Sequence, residues 1–352
     1  MSDLPGLPAA AFGRWFAANL PDVAGDSWTA EVIAGGLSNV TYRVRSGERV
    51  VVVRRPPLGG VLPSAHDMAR EYRVLSALAG SAVPVPEPLA FCADEEVLGA
   101  PFYVMAEVPG VVLRTAEDTA RLSEAQRREL SLRLVGTLAA IHGVDIAAAG
   151  LEDFGRPAGF TERQVRRWGR QWELTRTREL PGMESLRALL AEQVPEQAGS
   201  ALVHGDYRLD NTILQIGGDD LRDDLRIAAV VDWELSSLGD PMADLGLALT
   251  YWADAGDEQR AAVPVAPGVT AHPGFLTSDE VAARYAELTG ADLGELAYYR
   301  AFGAFKLAVI LEGVNARHAG GHTVGDGYAG VGEAVPVLVE RGLGYFSTGG
   351  TA

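Results

Sequence analysis

The sequence has little that could cross-link the chain or hold it in a membrane. Cys92 is the only cysteine among 352 residues, so an intrachain disulfide and a cysteine-rich metal site are both excluded. No apolar run approaches the roughly 20 residues that a membrane helix needs. Residues 1–5 lack the basic and apolar segments of a signal peptide. We therefore expect a cytoplasmic protein with no membrane partner.

Positive charge is also scarce. The formal net charge is −17, and a field of that sign repels nucleic acid. Lys306 is the only lysine, and every other fixed positive side chain is an arginine. Any phosphate-binding cation before residue 306 must therefore be arginine or histidine. The chain also contains no GxxxxGK[ST] sequence, which argues against a P-loop enzyme.

The pattern of apolar residues changes near residue 110. Before that point, short strand-like runs alternate with turns, and one helical pattern includes Met68, Tyr72 and Leu75. After it, helical patterns dominate, with one interruption by two strand-like runs at 212–216 and 227–231. We expect an α+β fold in which a small antiparallel sheet with one helix precedes a large, mainly helical region.

The strongest chemical signal is the run His204-Gly205-Asp206-Tyr207-Arg208-Leu209-Asp210-Asn211. Asp232 follows 21 residues after Asn211, at the end of an apolar strand. Phosphoryl transfer to a hydroxyl group needs an aspartate that orients the nucleophile and accepts its proton, and oxygen ligands for Mg²⁺. Asp206 suits the first role. Asn211 and Asp232 suit the second, because Mg²⁺ prefers hard oxygen ligands.

This ordered set resembles the protein-kinase superfamily, and the particular residues within its motifs resemble the aminoglycoside phosphotransferase and choline kinase branch. It is most similar to the kinase-like domain fused to some acyl-CoA dehydrogenases and to free-standing bacterial relatives. The resemblance covers roughly residues 30 to 320. It implies a two-lobed fold with a nucleotide-binding lobe at 1–106, a hinge at 107–110 and a helical lobe with the catalytic loop and acceptor site at 111–352. It also implies ATP and Mg²⁺ as cofactors.

Site residues follow from the same resemblance, position by position. His204 and Asp206 match the catalytic loop, in which His204 braces the loop rather than moving protons. The predicted metal ligands are Asn211, Asp232 and Glu234, although Glu234 could equally contact the ligands rather than the metal itself. The predicted nucleotide contacts are Gly35, Gly36, Ser38 and Asn39 in a glycine turn, Val52, Arg54 and Glu71, and Met105, Ala106 and Val108 in the connector.

Arg54 stands where most kinases have a lysine that pairs with the phosphates. Strand alternation places Val52 and Arg54 on one face, and a shift of one residue would put Arg55 there instead. Arginine keeps the positive charge and adds a planar fork, so we expect altered geometry rather than lost function. Glu71 matches the helix glutamate that pairs with this cation.

We therefore expect an enzyme that moves the γ-phosphate of ATP to the hydroxyl of a small molecule by direct in-line transfer. Gly205, Trp233 and the short segment from Asp232 to Asp240 argue against a protein kinase. Two alternatives remain: an inactive nucleotide-binding pseudokinase that acts as a regulator, and an aminoglycoside or macrolide phosphotransferase. The arginine-rich segment 163–178 is either a solvated helix face or, less favoured, a site for an anionic or acyl-CoA-like substrate.

Overall fold

The structure is a computed structural model that describes residues 3–33, 39–58, 67–197, 199–217, 225–320 and 330–348. The chain divides into two structural units. The smaller unit comprises Met1–Gly110, Ala149–Leu151 and Ala228–Leu235. The larger unit comprises Val111–Ala148, Glu152–Ile227 and Ser236–Ala352. No helix in the described ranges is both long enough and apolar enough to cross a membrane.

The smaller unit contains a five-stranded antiparallel sheet in the order β1-β2-β3-β5-β4. Its elements are α1 (Ala9–Asn19), β1 (Thr29–Val32), β2 (Val40–Ser46), β3 (Arg49–Arg55), α2 (Met68–Leu78), β4 (Pro88–Cys92), α3 (Glu95–Leu98) and β5 (Phe102–Ala106). The expected antiparallel sheet with a helix is confirmed, and α1 and α3 add two further helices to it.

Alternation along β3 assigns its side chains to two faces of the sheet. Val51 and Val53 enter an apolar core that α1 closes with Phe12 and Phe16. The intervening Val52 is also buried, on the opposite face. Helix α2 begins after the N-cap Asp67, whose side chain accepts a hydrogen bond from the Arg70 amide.

The larger unit is mainly helical. Its helices are α4 (Ala116–Ala120), α5 (Glu124–His142), α6 (Phe160–Thr175), α7 (Pro181–Glu192), α8 (Pro241–Tyr251), α9 (Glu258–Ala261), α10 (Ser278–Thr289), α11 (Leu296–Ala319) and α12 (Ala334–Thr348). Short strands are β6 (Ala201–Val203), β7 (Thr212–Gln215), β8 (Arg226–Val230), which runs on into the smaller unit, and β9 (Ser237–Gly239). Strands β6 and β9 pair antiparallel.

Two glycines bring α8 and α11 into close contact. A Cβ atom on Gly246 would lie 2.3 Å from the Tyr299 carbonyl oxygen, and one on Gly303 would lie 2.7 Å from the Gly246 carbonyl oxygen. No larger residue fits at either position without moving backbone. This contact fixes α11 against the middle of α8, the helix that carries residues supporting the Asp206 loop.

Candidate active site

In the smaller unit, Arg54 lies between two acidic side chains. Its Nε is 3.0 Å from Glu71 Oε2, and its Nη2 donates to Asp232 Oδ1. Glu71 is buried on α2, and Arg54 extends from the face of β3 opposite to Val51 and Val53. Burial alone would lower the pKa of Arg54, but the nearby carboxylates, Glu71 first, raise it above its usual value. The guanidinium is therefore charged at any physiological pH.

Asn39 and Tyr103 complete the surroundings of Glu71. The Asn39 side-chain amide donates to Glu71 Oε1 at 3.2 Å and to Glu234 Oε2 at 3.0 Å. The Tyr103 hydroxyl donates to Glu71 Oε2 at 2.8 Å. Burial raises the pKa of Glu71, and the charge of Arg54 opposes that rise. Both oxygens of this buried carboxylate are therefore hydrogen-bonded, as a buried charge requires.

Among the described residues, Glu71, Asp232 and Glu234 form a group of carboxylates that could hold a metal ion, with their oxygen atoms within 4.8 Å of one another. Three carboxylates face the single guanidinium of Arg54, which leaves excess negative charge. Asp232 also has a positive φ of 69°, a strained conformation for a residue other than glycine. The donor set and its charge fit Mg²⁺.

The alternative register for the β3 arginine is wrong. Arg55 faces the other side of the sheet, where its Nη1 donates to the carbonyl oxygens of Gly6 at 2.9 Å and Leu98 at 2.7 Å. It is buried there and holds the N-terminal segment. Arg54, rather than Arg55, is therefore the β3 arginine that meets Glu71.

The other predicted nucleotide contacts lie in or near this sheet. Val52 is buried and pairs in register with Met105 of β5. Ala106 ends β5, and Val108 follows it, half-buried. Gly35, Gly36 and Ser38 lie outside the described residues, whereas Asn39 is described and contacts the carboxylates. The nucleotide-binding roles of these residues remain predictions.

In the larger unit, Asp206 lies on the loop after β6, and three side chains hold its carboxylate. The Tyr251 hydroxyl donates to Oδ1 at 2.6 Å. The Asn211 amide donates to Oδ2 at 3.0 Å and to the Asp206 carbonyl at 2.9 Å. Arg208 Nε lies 3.3 Å from Oδ2. These contacts fix one rotamer of Asp206, and they leave the Asn211 amide oxygen as the atom that could bind a metal.

Asp244 of α8 anchors the start of this loop. Its carboxylate accepts hydrogen bonds from the backbone amides of His204 at 2.7 Å and Gly205 at 2.9 Å. Burial would raise the pKa of Asp244, but its bond to His142 and these partners lower the pKa overall. His204 is fully buried, and its Nδ1 accepts from the Asp206 amide at 3.3 Å. His204 therefore lies where a loop-bracing residue would, within the Asp206 loop.

Lys306 of α11 is the other anchor. Its Nζ donates to the Gly205 carbonyl oxygen at 2.7 Å and lies 5.4 Å from the centroid of the Trp168 ring. Neither Lys306 nor Tyr251 was predicted to contact the loop, because both lie in apolar helices far from it in sequence. Arg208 was not predicted to contact Asp206 either, although it lies only two residues after it in the sequence.

The arginine-rich segment mostly forms local contacts. Arg166 pairs with Glu162, and Arg176 pairs with Glu173 and Glu179. Arg178 pairs with the buried Glu312 of α11 and so fastens the segment after α6. These pairs fit a solvated helix face with one structural tether. Arg167 differs, since it lies near Lys306 and lowers the pKa of that lysine.

An apolar cavity borders the Asp206 loop in the larger unit. Its walls include Tyr207, Arg208 and Leu209 of the loop and Tyr251 of α8. The remaining walls are mostly aliphatic: Leu134, Val135, Leu138, Leu245, Ala248, Trp252, Ala266, Val269, Thr270 and Val281.

An antiparallel sheet in one unit and a helical second unit with an anchored Asp206 loop define a kinase-like α+β phosphotransferase fold. Residues 29–287 match the phosphotransferase enzyme family known as APH, and the chain belongs to that family. A protein from Ralstonia eutropha assigned to the aminoglycoside phosphotransferases is 32% identical and has a TM-score of 0.80. The alignment covers 97% of this chain and 98% of that protein.

Two further similarities extend this result. Acyl-CoA dehydrogenase family member 11 of Gallus gallus is 34% identical over 316 residues, which cover 88% of this chain. The match spans only 39% of that longer protein. A crystal structure of aminoglycoside phosphotransferase APH(4)-Ia with AMP-PNP and hygromycin B is 17% identical, with a TM-score of 0.59 over 96% of this chain and all of that one. At that identity the likeness concerns the fold alone.

Proposed function

We propose that the protein is a Mg²⁺- and ATP-dependent phosphotransferase that moves the γ-phosphate to a hydroxyl group of a small molecule in one direct displacement. The observation that carries this proposal is the fixed carboxylate of Asp206, whose position is set by Tyr251, Asn211 and Arg208. A general base must be held in place to receive a proton in the transition state, and these contacts provide that restraint.

Each part of the reaction has a candidate residue. The acceptor oxygen attacks the γ-phosphorus, the bond from that phosphorus to the ADP oxygen breaks, and Asp206 takes the hydroxyl proton. Two donors reach Oδ2 and one reaches Oδ1 among the described residues, so we place the proton on Oδ1. Arg54 would bind phosphate oxygens, and its planar fork suits that task.

Mg²⁺ would be held by Asp232 and Asn211, with Glu234 as a further candidate ligand. When bound, the ion would neutralise charge on the phosphates. The cluster of three carboxylates formed by Glu71, Asp232 and Glu234 supports this assignment, because its negative charge exceeds the single positive charge of Arg54. The connector residues Met105, Ala106 and Val108 would contact the adenine, with Val52 beside them.

The surroundings of Asp206 contain charges of both signs. Arg208 pairs with Asp206 and Asp210, and Lys306 interacts with Asp206 and Asp244. These groups largely balance one another, so charge alone does not select the acceptor. The apolar cavity beside Tyr207 and Tyr251 suits an acceptor with an apolar portion. A pseudokinase remains the competing function.

The test is a product assay. Wild type and Asp206→Ala are incubated with MgATP and a panel of hydroxyl compounds, and phosphate esters are detected by mass spectrometry. We expect a phosphorylated product from wild type, a decrease of about a thousandfold or more in Asp206→Ala, and similar nucleotide affinity in both. Equal, background-level turnover in the two proteins, with nucleotide bound, would favour the pseudokinase instead.

A further inference from the structure

Lys306 is an unusual residue in this chain. It is the only lysine, in a protein whose other fixed cations are all arginines. Only 8% of it is exposed, and α11 is apolar around most of its circumference at this point. A buried lysine is costly unless its charge is compensated, and lysine, unlike arginine, can lose its proton when buried. Its location is therefore informative about chemistry as well as packing.

The backbone of Gly205 is held at both polar groups. Asp244 Oδ1 accepts from the Gly205 amide at 2.9 Å, and Lys306 Nζ donates to the Gly205 carbonyl at 2.7 Å. Gly205 has a φ of 81°, a conformation that favours glycine. Because Gly205 directly precedes Asp206, these two charged anchors fix the position of the backbone from which the Asp206 side chain extends.

The two anchors, Asp244 and Lys306, lie on helices α8 and α11, which pack tightly against each other. Asp244 lies two residues before Gly246, and Lys306 lies one turn after Gly303. These glycines form the close contact between α8 and α11. The distance between the two anchors is therefore set by backbone packing rather than by flexible side chains.

Charged groups on several elements face Lys306. The pKa of Lys306 is lowered to about 8. Burial is the largest cause, and the charge of Arg167 on α6 acts in the same direction, whereas Asp206 of the loop and Asp244 of α8 oppose the decrease. The His142 ring contacts Asp244 through its Nε2, and the His204 ring interacts electrostatically with the same carboxylate. The Trp168 ring lies beside the ammonium group, and an aromatic face favours the charged form. The proton on Lys306 is thus coupled to the charge of Asp206.

We propose that Lys306 is a positioning residue for phosphoryl transfer: its protonated ammonium group holds the Gly205 carbonyl, and through it the Asp206 carboxylate, in the reactive arrangement. This proposal rests on the proposed function. Loss of the proton removes both the charge-assisted hydrogen bond and the positive charge beside Asp206. Catalysis then decreases although the fold is retained.

One test needs no turnover. Because the chain has a single lysine, a protein labelled with ¹³C,¹⁵N-lysine and carrying no lysine in any tag gives one Nζ–Cε signal that requires no assignment. We expect this signal to titrate near pH 8 rather than at 10.5. In Asp206→Asn the midpoint should decrease by about one pH unit, since an opposite charge favours the protonated form. Asp279→Asn, which removes an exposed carboxylate paired with Arg300, is the control and should leave the midpoint unchanged.

The second test is the pH profile of MgATP turnover, with water as acceptor where no other acceptor has been found. The wild-type rate should decrease above about pH 8. Lys306→Arg should retain activity and lose this decrease, because a guanidinium stays charged. Below about pH 8, Lys306→Met should be about tenfold to a hundredfold slower than wild type, with nucleotide affinity unchanged. Above about pH 8 this difference should narrow, because wild type also loses the charge.

Three results would overturn the proposal. They are a lysine midpoint near 10.5, a midpoint that does not respond to Asp206→Asn, or a wild-type pH profile that persists in Lys306→Arg. If the wild type shows no turnover at all, the proposed function fails, and the lysine titration still decides whether Lys306 is coupled to Asp206. If a Lys306 variant does not fold, the wild-type and Asp206→Asn titrations still decide it.

Discussion

Arg54 contacts Glu71 and Asp232 at the same time, with its Nε 3.0 Å from Glu71 Oε2 and its Nη2 donating to Asp232 Oδ1. The forked guanidinium makes this possible, because one side chain presents donors in two directions. A lysine has a single nitrogen and would bind one carboxylate well and the other poorly. Arg54 therefore orders an anionic cluster that would otherwise repel itself, and it gives the sheet a fixed cation beside the candidate metal ligands.

Arg54 is the first residue to test. Arg54→Met should weaken MgATP binding at least about tenfold, since a charge-assisted contact with phosphate is lost. Arg54→Lys keeps the charge and should bind within about tenfold of wild type. Titration calorimetry with a non-hydrolysable ATP analogue measures both. Equal affinity in Arg54→Met and wild type would remove Arg54 from the nucleotide site.

Arg55 supplies the matched comparison. It is adjacent in sequence but lies on the other face of β3, where it bonds to the carbonyls of Gly6 and Leu98. Arg55→Met should leave the buried Leu98 carbonyl and the part-buried Gly6 carbonyl without this donor. It should lower the free energy of unfolding by about 2 kcal/mol or more. Its nucleotide affinity should match wild type. A weaker affinity in a folded Arg55→Met protein would mean that the two faces were assigned wrongly.

The lowered pKa of Lys306 predicts a pH-dependent stability difference. Below about pH 8 the lysine is protonated in both the folded and the unfolded chain, so it contributes no pH dependence to the free energy of unfolding. Between about 8 and 10.5 the unfolded chain binds a proton that the folded chain does not, so the free energy of unfolding rises with pH.

Comparison with Lys306→Met isolates this effect from other titrating groups. Wild type should gain up to about 3 kcal/mol relative to the variant across that interval. Urea denaturation at several pH values measures the difference. A constant difference from pH 7 to 10.5 would show that the lysine has its ordinary pKa.

The contact between α8 and α11 makes a prediction about stability. Gly246→Ala would place a Cβ 2.3 Å from the Tyr299 carbonyl oxygen, so we expect a loss of about 2 to 4 kcal/mol. Gly136→Ala on α5 is the control, because nothing lies within 4 Å of its added Cβ. That variant should be unchanged or stabilised by up to about 1 kcal/mol, as alanine favours helix. Equal melting temperatures would show that the helices can separate without loss.

The sequence predicted residues of this site where local pattern determines geometry. Alternation along β3 was enough to place Val52 and Arg54 together, away from the core of Val51 and Val53. The cap at Asp240 was also predictable, because an aspartate followed by proline at the first helical position is a local signal, and its side chain accepts from Met242.

Contacts that depend on packing between distant elements were not predictable. Tyr251 reaches Asp206 across 45 residues, and Lys306 reaches Gly205 across 101. Each belongs to a helix in which most of the neighbouring residues are apolar, so its polar end gives no periodic signal. Helix α1 was missed for a related reason: its first residues carry no side-chain cap, and its two buried phenylalanines do not distinguish a helix from a strand.

The most direct measurement is thermal unfolding of wild type, Asp232→Ala and the control Asp279→Asn with ATP, each with and without Mg²⁺. A ligand at a hundredfold its Kd stabilises the folded state by about 2.7 kcal/mol. We expect a Mg²⁺-dependent rise in melting temperature with ATP in wild type and Asp279→Asn that is absent in Asp232→Ala. No rise at millimolar ATP in folded wild-type protein, or an equal rise in Asp232→Ala, would contradict the account of this site.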